Sequence, residues 1–116
     1  MGRYLVVDGI ENNSKCISYP MIDLIRNVLS NDKKLFGEDC FVLSQMEVAD
    51  ILYSANNLIG NDDLLKKYIE HNKESYHMNA PFEEIKDVFT SIHYTFSKVL
   101  AGMVFYEKKN IICEWE

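Results

Sequence analysis

A chain of 116 residues is the size of one globular domain, and 47% hydrophobic content with thirteen Phe and Tyr residues excludes intrinsic disorder. The formal net charge of −6 argues against nucleic acid as a ligand, because phosphate binding needs clustered Lys and Arg. No apolar run approaches the roughly 20 residues of a membrane-spanning helix, so a single domain over residues 1–116, without membrane association, is expected.

The N-terminal residues predict a β-hairpin followed by a helix. Arg3–Asp8 is rich in aliphatic and aromatic residues, residues 9–14 have turn composition, and Lys15–Tyr19 reads as a second strand. Pro20 suits the first turn of a helix, where its missing N–H costs nothing. Apolar residues then follow at helical spacing, which predicts a helix over 20–30.

The clearest local signal is a capping box. Ser44 and Glu47 stand three residues apart before an apolar periodic stretch, which predicts a helix over 45–59. Gly60 is expected to end this helix in the left-handed conformation. The preceding Cys40–Leu43 is a short strand or a buried connector.

Two further helices are predicted in the second half of the chain. Asn61 or Asp62 caps the first of them, which is expected to fray near His77. The second begins at Pro81, forms the centre of the core and ends near Gly102. Its apolar stripe comprises Phe82, Ile85, Phe89, Ile92, Phe96, Val99, Leu100 and Met103.

The last residues predict a C-terminal hairpin, with strands at Val104–Glu107 and Ile111–Trp115 around a polar turn. The expected fold class is therefore α+β. An antiparallel sheet built from the N- and C-terminal hairpins would pack against about four helices.

The cysteines favour a reducing compartment. Cys16, Cys40 and Cys113 are odd in number, widely spaced and set among apolar neighbours, so buried free thiols are expected. The first residues, Met1–Leu5, lack the charged and apolar regions of a secretory signal. A cytoplasmic location is the expectation.

No catalytic or cofactor motif is present, so the chain is not expected to be an enzyme, and neither a cofactor nor a metal is predicted. His71 and His77 are six residues apart, which places them on different helix faces. His93 lies at the edge of the core stripe, and it keeps open the alternative of a small hydrolase that uses it as a general base.

The negative charge is concentrated in the middle of the chain. Residues 37–87 hold eleven acids and four bases, whereas the two flanks together hold seven acids and eight bases. Some of these acids occupy helix starts, where the helix dipole favours them. The segregation supports a binding role only if the helix starts converge on one face.

Carboxylates mixed with tyrosines are typical of a protein-recognition surface, since carboxylates steer a basic partner and aromatic rings anchor it. The sequence therefore predicts a basic protein partner. The candidate partner-binding residues are Asp62, Asp63, Glu70, Glu74, Tyr76, Glu83, Glu84 and Asp87.

In its size, acidic surface residues, α+β pattern and lack of a catalytic motif, the chain resembles the small acidic immunity proteins of bacterial toxin systems, including those of contact-dependent inhibition. The resemblance implies a cognate toxin domain, often a basic nuclease, that is bound and neutralised. The alternative is a homodimeric adaptor or regulatory protein of unknown ligand, with a dimer contact through an exposed edge strand near Trp115.

Overall fold

A computed structural model describes residues 2–8, 10–11, 16–29, 38–76 and 80–116, and over these residues the chain has an α+β fold. Short strands lie at both ends of the sequence, and the helices lie mainly between them. In chain order the elements are β1 (Gly2–Arg3), β2 (Leu5–Val7), β3 (Ile10–Glu11), β4 (Ile17–Ser18), α1 (Tyr19–Leu29), β5 (Cys40–Ser44), α2 (Gln45–Ile59), α3 (Asp62–Tyr76), α4 (Phe82–Phe105) and β6 (Asn110–Trp115).

The main sheet is antiparallel, with the strand order β3-β2-β6-β5. Strand β6 lies between its neighbours, pairing Trp115 with Leu5 of β2 and Ile112 with Val42 of β5. Because side chains alternate along a strand, one face of the sheet is buried, and the other faces solvent along β5 and much of β6, whereas Val6 of β2 is buried on that face too. Val42 and Ile112 lie on the solvent face, at 54% and 53% exposure.

Helix α4 is the centre of the core, as its apolar stripe predicts. Phe89 and Phe96 are the largest fully buried side chains, and α4 packs extensively against α2. At 1.5 Å per residue its 24 residues span about 36 Å, which is most of the 41 Å long axis of the molecule. The first and last turns of α4 therefore lie near opposite ends of the protein.

The capping box of α2 is confirmed. The Ser44 hydroxyl accepts a hydrogen bond from the Glu47 N–H at 3.2 Å, and the Glu47 carboxylate accepts one from the Ser44 N–H at 3.0 Å. The helix covers 45–59 as predicted, but the left-handed stop at Gly60 is wrong. Gly60 has φ −87° and ψ −4°, a right-handed conformation that needs no glycine.

The predicted C-terminal hairpin is wrong, because Val104 and Phe105 continue α4 beyond Gly102. The helix ends instead in a Schellman motif: the Lys108 N–H donates to the Met103 carbonyl and the Glu107 N–H donates to the Val104 carbonyl. Glu107 takes the left-handed position, with φ 54°. Only the second predicted strand exists, as β6.

The predicted N-terminal hairpin is confirmed in part. Arg3 of β1 pairs with Ile17 of β4, but the predicted strand 3–8 is divided at Tyr4, beyond which β2 pairs with β3 and β6. Arg3 also donates hydrogen bonds to the Asp39 carboxylate and to the Trp115 carbonyl, which ties this junction to the central sheet. The hydrogen bond from Arg3, more than its charge, lowers the pKa of Asp39.

Candidate functional site

The two acid-rich helix starts lie side by side. The Lys86 ammonium of α4 donates to the Asp62 carboxylate at the start of α3, over 2.7 Å. One turn further along α3, the Lys66 ammonium lies 5.0 Å from the centre of the Phe82 ring. These two side-chain contacts link the beginning of α3 to the beginning of α4.

This contact places the start of α3 beside the first turns of α4, and these two segments carry five of the predicted binding residues, all of them exposed: Asp62, Asp63, Glu83, Glu84 and Asp87. We call these five the acidic end surface. Both helices carry two consecutive acids in their first turn, where the positive end of each helix dipole stabilises them. The start of α3 and the first turns of α4 are therefore neighbours on the surface.

Lys86 lies at the centre of the acidic end surface. Its hydrogen bond to Asp62 raises its pKa, and the negative charges of Glu83 and Asp87 raise it further. The Asp62 carboxylate is therefore already paired with a lysine of the same protein. Glu83 and Asp87 face a lysine that remains 30% exposed, so the surface alternates in sign and is not uniformly negative.

The remaining predicted residues lie along α3. Glu70 is exposed two turns beyond Asp62 and extends the line of acids away from the start of the helix. Glu74 and Tyr76 belong to the last turns of α3, but their side chains lie outside the described part of the structure, as does His77. Tyr68, at 41% exposure, is the described aromatic side chain on this helix.

An open cleft of about 380 Å³ adjoins the acidic end surface, at the turn between α2 and α3. Three asparagines line the cleft. Because side-chain amides can both donate and accept hydrogen bonds, the cleft suits a polar side chain of a partner. Asn61 is one of the two predicted caps of α3, and its side chain accepts a hydrogen bond from the Leu64 N–H at 3.1 Å. The lining residues are Asn56, Asn57, Gly60, Asn61 and Leu64.

The sequence did not predict an exposed apolar corner at the other end of α4. Phe105 and Tyr106 are 79% and 77% exposed, and their rings meet edge to face at 4.9 Å. Val104 and Met46 are also exposed. The start of α2 lies close to this end of α4, because the Gln45 side chain donates to the Met103 and Lys108 carbonyls. The helical period of the buried stripe would have placed residues 104 and 105 on the solvent side.

The cysteines differ from the prediction of three buried thiols. Cys113 is buried, and burial raises its pKa to about 12, with smaller contributions from the charges of Asp8 and Cys40. Cys16 and Cys40 are exposed, because Cys16 directly precedes β4 and Cys40 faces the solvent side of the sheet. All three are free thiols.

The structure describes two of the three histidines, His71 and His93. His93 is half-buried on α4, and its backbone carbonyl accepts a hydrogen bond from the Ser97 hydroxyl. His71 is exposed on α3. Among the described residues, no group of three or more His, Cys, Asp or Glu side chains could hold a metal ion. Nor does any described helix combine the length and hydropathy that crossing a membrane requires.

Comparison of the chain with protein-family models, with curated proteins and with solved structures finds no match.

Proposed function

We propose that this protein binds a basic protein partner through the acidic end surface. The observation that supports the proposal is the Asp62–Lys86 ion pair, because it brings the acids of two helix starts into one exposed region. Such a region steers a positively charged partner toward the protein and raises the association rate at low salt.

The partner class that we propose is a toxin domain with a basic active site, neutralised in the cytoplasm as the resemblance to immunity proteins implies. A nuclease holds its polyanionic substrate with lysines and arginines, and the acids would form ion pairs with those residues. The asparagine-lined cleft beside Asp62 would accept a polar side chain of the toxin and fix its orientation.

The test compares two triple variants that remove the same charge. In the first, Asp63→Asn, Glu84→Gln and Asp87→Asn neutralise the acidic end surface and leave the Asp62–Lys86 pair intact. The matched control, Asp23→Asn, Asp50→Asn and Glu107→Gln, neutralises three exposed acids elsewhere on the protein.

Affinity capture from a lysate of the native organism would supply the partner, and calorimetric titration would then measure its affinity for each protein. We expect the first variant to bind at least tenfold more weakly than the control, on the order of 1.4 kcal/mol. We also expect wild-type affinity to fall between 50 mM and 500 mM salt, because screening shortens the range of steering. Equal affinity of the two variants, or affinity that is independent of salt, would contradict the proposal.

A further inference from the structure

The asparagine-lined cleft lies where α2 ends and α3 begins, so two helix ends of opposite polarity meet there. The last carbonyls of a helix and the first N–H groups of the next have no partners inside their own helices. The end of α2 therefore carries partial negative charge, and the start of α3 carries partial positive charge. Which kind of ligand the cleft favours depends on how the protein compensates each end.

The chain itself compensates the positive end of α3. The Asn61 side-chain oxygen accepts a hydrogen bond from the Leu64 N–H at 3.1 Å. Asp62 and Asp63 add two carboxylates in the first turn of the helix. A polar cap and acidic residues are the usual means of stabilising a helix start. The start of α3 consequently adds no net positive charge to the cleft.

The negative end of α2 is not compensated in this way, since its last turn contains no basic residue. The Gly60 N–H donates to the Asn56 carbonyl at 3.0 Å, and the Asn61 N–H donates to the Leu58 carbonyl at 3.3 Å. Among the backbone N–H groups that the structure describes, none donates to the carbonyls of Asn57 and Gly60. Both residues are exposed and line the cleft, which therefore offers hydrogen-bond acceptors at a negative helix end.

We propose that this cleft binds the guanidinium group of an arginine side chain of the basic partner. The inference rests on the proposed function and names the type of residue that enters the cleft. Lysine and arginine side chains commonly bond the last carbonyls of a helix, and here the partner supplies the cation that the last turn of α2 lacks. A guanidinium has five N–H donors, no acceptor and a positive charge at every physiological pH, so it complements this lining.

The lining favours a guanidinium over an ammonium group. The side-chain oxygens of Asn56 and Asn57 add acceptors to the backbone carbonyls, and a planar fork of donors can bond two acceptors at once. Half-buried Leu64 adds an apolar surface against which the weakly hydrated guanidinium can pack, whereas an ammonium is strongly hydrated. Exposed Asp63, close to the cleft in sequence, adds negative charge that attracts either cation.

Titration with small probes, followed by heteronuclear NMR, tests the inference without the partner. The probes are N-acetyl-arginine methylamide, its lysine counterpart, and its citrulline counterpart, in which an uncharged urea replaces the guanidinium. We expect the arginine probe to shift the Gly60 amide resonance in a saturable manner, with an affinity about fivefold above that of the lysine probe. The citrulline probe should give no saturable shift. Equal affinities of the three probes, or no saturable shift with the arginine probe, would overturn the inference.

A cation tethered in the cleft provides the second test. Asn57→Arg places a guanidinium in the last turn of α2, where it can bond the free carbonyls itself. The matched control, Asn27→Arg, adds the same charge at an exposed asparagine of α1. We expect Asn57→Arg to abolish binding of the arginine probe and the control to bind it as the wild type does. Equal affinity in the two variants would refute the site.

Failure of the cleft and failure of the acidic end surface give different results, because the probes bind without the partner. An arginine probe that does not bind would overturn the guanidinium site. If the triple variant of the acidic end surface still bound the partner more weakly than its own control, the proposed function would remain intact.

Discussion

Replacing Gly102 by alanine should stabilise the protein. Gly102 lies inside α4, its backbone is not in the left-handed region, and a Cβ added there would meet no atom within 4 Å. Alanine in a helix interior is favoured over glycine by roughly 0.5–1 kcal/mol, because glycine loses more conformational freedom on folding. For a domain of this size the gain corresponds to an increase of about 2–4 °C in Tm.

The two other glycines that the structure describes provide the contrast. A Cβ on Gly2 would collide with the Ile17 carbonyl, so Gly2→Ala should disrupt the β1–β4 pairing and lower the Tm. A Cβ on Gly60 would lie 3.1 Å from the Asn56 carbonyl, a tight contact with helix backbone, so Gly60→Ala should give no gain. Differential scanning calorimetry of the three variants is the assay. A Gly102→Ala protein with a lowered Tm would refute the continuation of α4, because it would mean that the helix stops at Gly102.

Three further perturbations test other parts of the fold. Ser44→Ala should cost about 1 kcal/mol in chemical denaturation by removing the α2 cap, whereas the control Ser54→Ala, inside the same helix, should be close to neutral. Phe96→Ala, at a fully buried position, should cost about 3–5 kcal/mol and remove much of the stability of a small domain. Asp39→Asn tests the Arg3 contact: the folded-state pKa of Asp39 lies below its ordinary value of 3.8, so its contribution is present above pH 3.8 and is lost as the pH falls further. The Tm difference between wild type and Asp39→Asn should therefore be constant near neutral pH and shrink as the pH falls below 3.8, and a difference that did not shrink would argue against the pair.

The sequence predicted those elements that short-range rules determine. The α2 boundaries follow from the Ser44–Glu47 capping box, and the α4 core face follows from a 3.6-residue period maintained from Ile85 to Met103. The α+β class follows from helices of this kind between β-rich ends. Each of these signals lies within a short stretch of sequence, so predicting the element does not require knowing what packs against it.

The errors arise where tertiary contacts decide. Val104 and Phe105 have strand-like composition, but the last turn of α4 is held by the Gln45 side chain, which is 58 residues away from Met103 in sequence. The end of the helix was assigned to Gly102 because glycine usually takes the left-handed position, whereas Glu107 takes it here.

The proposed edge strand near Trp115 is wrong for a related reason. Trp115 belongs to β6, which β2 and β5 flank on both sides, and its side chain is only 2% exposed. Strand order is set by pairing between distant segments, so a single chain read in order does not reveal which strand lies at the edge. The same limitation applies to the acidic residues: their positions on helix starts were predictable, but the Asp62–Lys86 contact that joins two of those starts was not.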